Sequence, residues 1–348
     1  MSLSSTPSTS SSSPPRTLAV GGLPLHIYGL DSLPTPSSSS SDSHPPGLAI
    51  LFLLHGRLSS ASHPLIPHFA QTLLSHAHAQ PSEPSGERPK DLVVVAFDQR
   101  NHGQREVDKE RNLGWKEGRK QRKQREKHGL EKEDKDEVEN VTHAADMLAI
   151  QTGTAADVSH LITFLPSLLF PNDERQVTDW YCAGISLGGH ATWIALADDP
   201  RITLGIPIIA SPSTLTLLTH RASRLPPPLG PLPLTGPYFP RTLLSTFSNV
   251  DPASRSTEEI KQRYKGRKVL VMSGREDGLV NFVEGGGESF VERLRREGGL
   301  ERLEVWVQEE TGHKCTPEMM QRAAEFVYTH GLTAGSSSGG GAEGGAKM

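Results

Sequence analysis

The 348-residue chain has only two cysteines, Cys182 and Cys315. Two thiols cannot build the disulfide framework of a small secreted domain, and their scarcity points to a reducing compartment. Aromatic residues make up 5% of the chain and the formal charge is −4. No global positive field for nucleic acid or anionic lipid follows from that balance. Long apolar runs are missing as well. The longest, Leu48 to Leu54, has the length of a strand, well short of the roughly 18 residues that a membrane helix needs. Met1 to Arg16 is mostly Ser, Thr and Pro with one arginine, lacking the apolar core of a secretory signal and the repeated arginines of a mitochondrial presequence. These absences predict a cytoplasmic protein with no membrane insertion and no nucleic-acid partner. The histidines are scattered without paired ligand spacing, so neither a metal nor another cofactor is expected.

What is present is an alternation of short apolar runs and amphipathic stretches. Residues 17–331 read as one domain between a disordered Ser/Pro-rich segment, 1–16, and a flexible Gly/Ser-rich tail, 332–348. Thr17 to Val20 and Leu23 to Tyr28 form a hairpin broken at Gly21-Gly22, followed by a low-complexity loop from Ser32 to Pro46. Strands are predicted at Leu48–Leu54, Leu92–Phe97, Trp180–Ala183, Ile202–Ala210, Lys268–Ser273 and Leu303–Val307. Between them, His63 to Ala77 carries apolar residues at helical spacing. Thr154 with Asp157 predicts an N-cap, for a helix that Pro166 should stop. Thr316-Pro317-Glu318 opens a last helix. Fully apolar strands alternating with helices make a mostly parallel sheet covered on both faces.

Gly184-Ile185-Ser186-Leu187-Gly188 lies between an apolar strand and the helix-like stretch His190 to Leu196. A serine on such a tight strand-to-helix turn needs small residues two positions before and after it. Downstream, Asp277 follows the strand ending at Ser273, and His313 follows the strand ending at Val307. Serine, acid and histidine thus appear in one order, each after the carboxyl end of a strand. For the acid, neighbouring Glu276 and, more remotely, Asp251 compete with Asp277.

In this the chain resembles the α/β-hydrolase superfamily, in its serine esterase and prolyl-oligopeptidase-like branch. Leu51-Phe52-Leu53-Leu54-His55-Gly56-Arg57 resembles the strand of that family that ends in His-Gly. Asp98-Gln99-Arg100-Asn101-His102-Gly103 resembles its Asp-x-Arg-Gly-His-Gly turn, with Asn101 in place of glycine. The resemblance implies an α/β-hydrolase fold with Ser186 as nucleophile, His313 as general base and Asp277 as its orienting acid. It also implies an oxyanion hole from the backbone N–H groups of Arg57 and Leu187. The expected activity is hydrolysis of a carboxylic ester on a small-molecule acyl substrate. A serine peptidase or other acyl hydrolase, and a non-catalytic ligand-binding protein on the same fold, remain open. Asp98 and Arg100 are expected to pair, and His55, His102 and His190 to pack or orient loops. Two segments interrupt the pattern: a charge-rich solvated insertion at about 105–139, and a short proline-stiffened insertion at about 212–267, where the family carries its lid.

Overall fold

The computed structural model describes residues 14–34, 46–79, 89–115, 140–225 and 230–333. The expectations for residues 1–13, the greater part of the low-complexity loop, 116–139 and 334–348 lie outside the described residues. Eight strands form one sheet: β1 (Arg16–Val20), β2 (Leu23–Tyr28), β3 (Leu48–Leu54), β4 (Asp91–Phe97), β5 (Val177–Ile185), β6 (Ile202–Ile208), β7 (Lys268–Gly274) and β8 (Arg302–Gln308). Their order is β1-β2-β4-β3-β5-β6-β7-β8. The β1–β2 and β2–β4 pairs are antiparallel and the others are parallel. Every residue of β3 is buried, which is why this strand reads as an unbroken apolar run and not as an alternation.

Among the described residues eight α-helices surround the sheet: α1 (Leu65–Ala79), α2 (His143–Leu169), α3 (Leu187–Asp198), α4 (Thr214–Ser223), α5 (Arg241–Val250), α6 (Thr257–Tyr264), α7 (Gly287–Glu297) and α8 (Pro317–Val327). On one face, α1 and α8 pack Phe69, Leu73, Met319 and Phe326 against Leu51, Val94 and Ile206. On the other, α2, α3, α6 and α7 pack Leu161, Trp193, Tyr264 and Phe290 against Phe52, Val95 and Val271. Trp193 is fully buried and meets Phe290 edge to face, with centroids 5.5 Å apart. Truncating such a residue to alanine costs about 3–5 kcal/mol. A third apolar cluster, of Trp115, Leu148, Leu187, Leu218, Phe239 and Phe247, joins the first half of α2 to α4 and α5 as a cap. No helix among the described residues is long and apolar enough to cross a membrane.

Four sequence expectations are corrected. The helix read as starting at Thr154 begins at His143, and Thr154 lies buried in its interior. The Thr-x-x-Asp pattern is local, whereas the preceding turns are fixed by burial of Ala144, Met147 and Leu148 against the cap. Pro166 does not stop this helix: it stands in the last turn, where its missing N–H forfeits a single bond and the Phe170 N–H still reaches the Pro166 carbonyl at 2.9 Å. The charged insertion is solvated over residues 106–111 as expected, but the chain then turns inward, since Asn112, Leu113 and Trp115 are buried. Finally, the 212–267 segment is divided. α4 and α5 belong to the cap, but Ile260 and Tyr264 of α6 are fully buried in the main core, because α6 packs on α3 and α7 as an ordinary sheet-covering helix.

Candidate active site

β5 ends at Ile185 and α3 begins at Leu187, leaving Ser186 alone in the turn with φ 53° and ψ −109°. A non-glycine residue held there stores about 1–3 kcal/mol, which the surroundings must hold in place. They do so through the Ser186 N–H, bonded to the Ile208 carbonyl at 2.9 Å, and the Ser186 carbonyl, which accepts the His190 N–H at 2.9 Å. The flanking glycines follow from crowding. A Cβ on Gly184 would lie 2.2 Å from the Gly188 carbonyl oxygen, and one on Gly188 would lie 2.5 Å from that of Leu54.

His313 lies in the loop after β8 and Asp277 in the loop after β7. Between them they complete a continuous chain: Ser186 Oγ is 2.9 Å from His313 Nε2, and His313 Nδ1 is 2.7 Å from Asp277 Oδ2. The other carboxylate oxygen, Oδ1, accepts the N–H groups of Leu279 at 2.9 Å and Val280 at 2.8 Å. Asp277 is completely buried. Burial pushes its carboxyl pKa up, but the hydrogen bond and charge of His313, with the Val280 and Leu279 N–H groups, outweigh that and hold it below the usual aspartate value. An ionised Asp277 fixes the proton of His313 on Nδ1. Nε2 then carries a lone pair toward the serine hydroxyl, which is the arrangement that proton abstraction needs.

The competing acids are placed elsewhere. Glu276 is exposed, and it is its backbone N–H that is held, by the Thr311 carbonyl at 2.9 Å. Asp251 accepts the N–H groups of Thr214 at 3.0 Å and Leu215 at 2.9 Å, and so anchors the start of α4. Leu187 is the first residue of α3, where backbone N–H groups have no partner one turn back. Gly56 lies against the same turn: a Cβ there would be 3.6 Å from the Ile185 carbonyl oxygen and 3.8 Å from Ser186 Cβ. The Gly188 N–H ties the two loops together through the His55 carbonyl at 3.1 Å. Arg57 follows Gly56, and its side chain reaches away to the Asn112 carbonyl at 2.6 Å.

His55, His102 and His190 orient loops. The Gln99 N–H donates to His55 Nε2 at 3.0 Å, and the Ser211 N–H donates to His190 Nδ1 at 3.1 Å. Burial lowers the pKa of both His55 and His190 to about 4. The expected Asp98–Arg100 pair does not form. Asp98 instead accepts the Ala61 N–H at 2.7 Å and the Gln104 N–H at 2.8 Å, while Arg100 turns to Asp157 on α2 at 3.1 Å. Backbone N–H groups within reach outcompete a guanidinium that has a carboxylate elsewhere.

The supporting polar residues were not legible in advance. The Gln99 side-chain amide donates to the His55 carbonyl, so Gln99 grips both ends of that residue. Asn101 takes the left-handed backbone, φ 56°, open to the glycine it replaces in the resembled turn. Its side chain accepts the Val107 and Asp108 N–H groups, each at 2.9 Å. Asn140 donates to the Leu113 carbonyl at 2.9 Å and thereby closes the ends of the charged segment. The signal available for Asn112 and Asn140 was slight: neutral amides inside a run of charges. Cys315, two residues from His313, has its thiol pushed up to about 12 by burial and stays protonated. Among the described residues no group of three or more His, Cys, Asp or Glu side chains could hold a metal ion.

Neither a protein-family model nor a curated protein matches the chain. Among solved structures, TT1662 from Thermus thermophilus is similar over 90% of this chain and 96% of its own, at 20% identity and a TM-score of 0.55. Est1E from Butyrivibrio proteoclasticus, solved with ferulic acid bound, covers 90% of this chain and 96% of its own at 15% identity and a TM-score of 0.47. The Pyrococcus furiosus esterase Pf2001 covers 88% and 86% at 16% identity and a TM-score of 0.45. The strand order, its single antiparallel edge hairpin and the similarity to the Thermus protein define the fold of this chain as the α/β-hydrolase fold.

Proposed function

We propose that this protein is a serine hydrolase that cleaves carboxylic esters of small molecules through an acyl-enzyme intermediate. The observation that carries this reading is the unbroken chain Ser186 Oγ, His313 Nε2, His313 Nδ1, Asp277 Oδ2, with spacings of 2.9 Å and 2.7 Å, built on a serine at φ 53°. Ser186 Oγ attacks the ester carbonyl carbon as its proton passes to His313 Nε2. Asp277 stabilises the imidazolium, and the N–H groups of Leu187 and Arg57 receive the developing oxyanion. Collapse breaks the bond to the alkoxide, which takes the proton from His313. Water then attacks the acyl-enzyme with the same histidine as base. The apolar cap supports an acyl substituent, since its cluster includes Leu187, the residue next to the nucleophile.

A fluorophosphonate probe tests the assignment on the full chain. Covalent labelling is expected in the wild type and is expected to vanish in Ser186→Ala, which should melt at about the same temperature. The loss in ester turnover should be on the order of 10³ or more, because members of such a constellation act as a unit. Undiminished labelling of the alanine variant would sink the proposal.

A further inference from the structure

Arg100, left without its expected partner, lines a cavity of about 330 Å3 together with Gly21, Gly22, Arg105, Asp157 and His160. Asp157 lies between two guanidinium groups. Its Oδ1 is 3.1 Å from Arg100 Nη2, and its Oδ2 is 2.9 Å from Arg105 Nη1. Arg105 Nη1 also donates to the Asp98 carbonyl at 2.9 Å. One carboxylate against two arginines leaves the cluster with a net positive charge. Arg100 Nη1 and the Nε and Nη2 groups of Arg105 have no hydrogen-bond partner among the described residues. The His160 imidazole adds a further ring nitrogen on the same wall.

The helix beneath is shaped to this arrangement. Gly153 stands in the interior of α2, where glycine costs about 1 kcal/mol relative to alanine. A Cβ there would lie 2.4 Å from Arg100 Cδ and 2.5 Å from its Nε. The bare backbone at 153 therefore lets the Arg100 side chain lie close against the helix while it bonds Asp157 and lines the cavity. Position in the fold adds a second consideration. The hairpin turn at Gly21-Gly22 lies beside the carboxyl end of β4, since Leu25 pairs antiparallel with Phe97. The hairpin wall of the cavity therefore lies at the carboxyl end of the sheet, as Ser186 does, with β3 between β4 and β5. At about 4.8 Å per strand, the two sites are separated by roughly 10–15 Å.

We propose that this cavity is an oxyanion-binding site for a phosphate group, held by Arg100, Arg105 and His160 and oriented by Asp157. Charge-assisted contacts from a preorganised pair of guanidinium groups are the chemistry that recognises such a group. The site stands independently of the reaction proposed at Ser186.

Calorimetric titration of the full chain tests it, with inorganic phosphate in one arm and glycerol phosphate in the other, at ionic strength held constant with chloride so that screening does not change. Saturable one-site binding is expected in wild type and equally in Ser186→Ala. Arg100→Gln should weaken it by roughly tenfold or more, the size of one charge-assisted contact. Arg302→Gln, which removes the same charge from β8, should leave affinity within a factor of about two. Gly153→Ala should weaken binding as Arg100→Gln does, with net charge and melting temperature maintained, by driving Arg100 off the helix. Tighter binding of glycerol phosphate would identify the ligand as a phosphomonoester, and equal binding as free phosphate; both outcomes support the site. Absence of saturation in the wild type, equal weakening by Arg302→Gln, or full affinity in Gly153→Ala would overturn it.

Discussion

Asp277 and Asp251 are both completely buried and both accept two backbone N–H groups at the start of a loop or helix. Their ionisation nevertheless departs in opposite directions. Asp277 is held below the usual aspartate range. Asp251 is pushed up to about 6 by burial, which outweighs the hydrogen bonds from Leu215, Thr214 and Ser213. Asp277 has the imidazole of His313 at 2.7 Å, without counterpart at Asp251 among the described residues, and the cost of burial weighs more heavily on Asp251. At Asp251 the neutral donors do not offset burial, whereas at Asp277 the hydrogen bond and charge of His313, added to two N–H groups, do. Asp277 is thereby suited to stabilise a positive histidine, and Asp251 to anchor the cap.

The largest effect that could break this comparison is on turnover. Asp277→Asn should lower kcat by about 10³–10⁴ while the protein stays folded, because an amide both loses the charge and releases the imidazole tautomer. Asp251→Asn should leave kcat for acetate esters within a factor of about three, as expected for a change remote from the chemistry. Steady-state kinetics on p-nitrophenyl acetate read both, and equal losses would erase the distinction.

A panel of acyl lengths sharpens it. Wild type should turn over acetate to hexanoate esters and decline by about C10 to C12, since a short cap bounds the acyl pocket. Asp251→Asn, by loosening the start of α4, should change KM for hexanoate severalfold and leave acetate unaffected. Aminoacyl amides should react far more slowly than any ester, because expelling an amine demands its protonation. Faster amide cleavage would favour a peptidase.

The smallest effects are in stability. A raised folded pKa means that Asp251 binds a proton more tightly in the folded chain, so its ionisation costs stability as pH rises from about 4 to about 6. Relative to Asp251→Asn, the wild type should gain on the order of 2 kcal/mol as pH falls across that window. Asp277 has the opposite sign: its lowered pKa contributes stability above about 3.8 that is lost as pH falls through the folded value. His55 and His190, lowered to about 4 by burial, also lose stability between about 6.5 and 4. Their contributions cancel when wild type and variant are compared by urea unfolding at each pH. A pH-independent difference between wild type and Asp251→Asn would contradict the assignment.

Much of this architecture is legible in the sequence because it is written locally. Leu48–Leu54 and residues 269–274 are fully buried runs, and the glycines at 184 and 188 mark the crowded turn around Ser186. Chain order then separates the three residues that meet there. What was not legible depends on partners far along the chain. Arg100 finds Asp157 and not Asp98, and the first half of α2 is helical because it packs beneath the cap and not because a capping signal precedes it. Trp115 lies at the edge of a run of charges, yet is buried against Phe239 and His143. Charge density described the neighbours of that residue and not its own environment.

Acylation of Ser186 is read out by mass spectrometry of acid-quenched, digested reactions with p-nitrophenyl butyrate. A single added butyryl mass on the peptide carrying Ser186, absent from Ser186→Ala, is the predicted result. It should form far more slowly in Asp277→Asn than in Asp251→Asn. Turnover without any trapped adduct in Ser186→Ala, or an adduct on another residue, would contradict it.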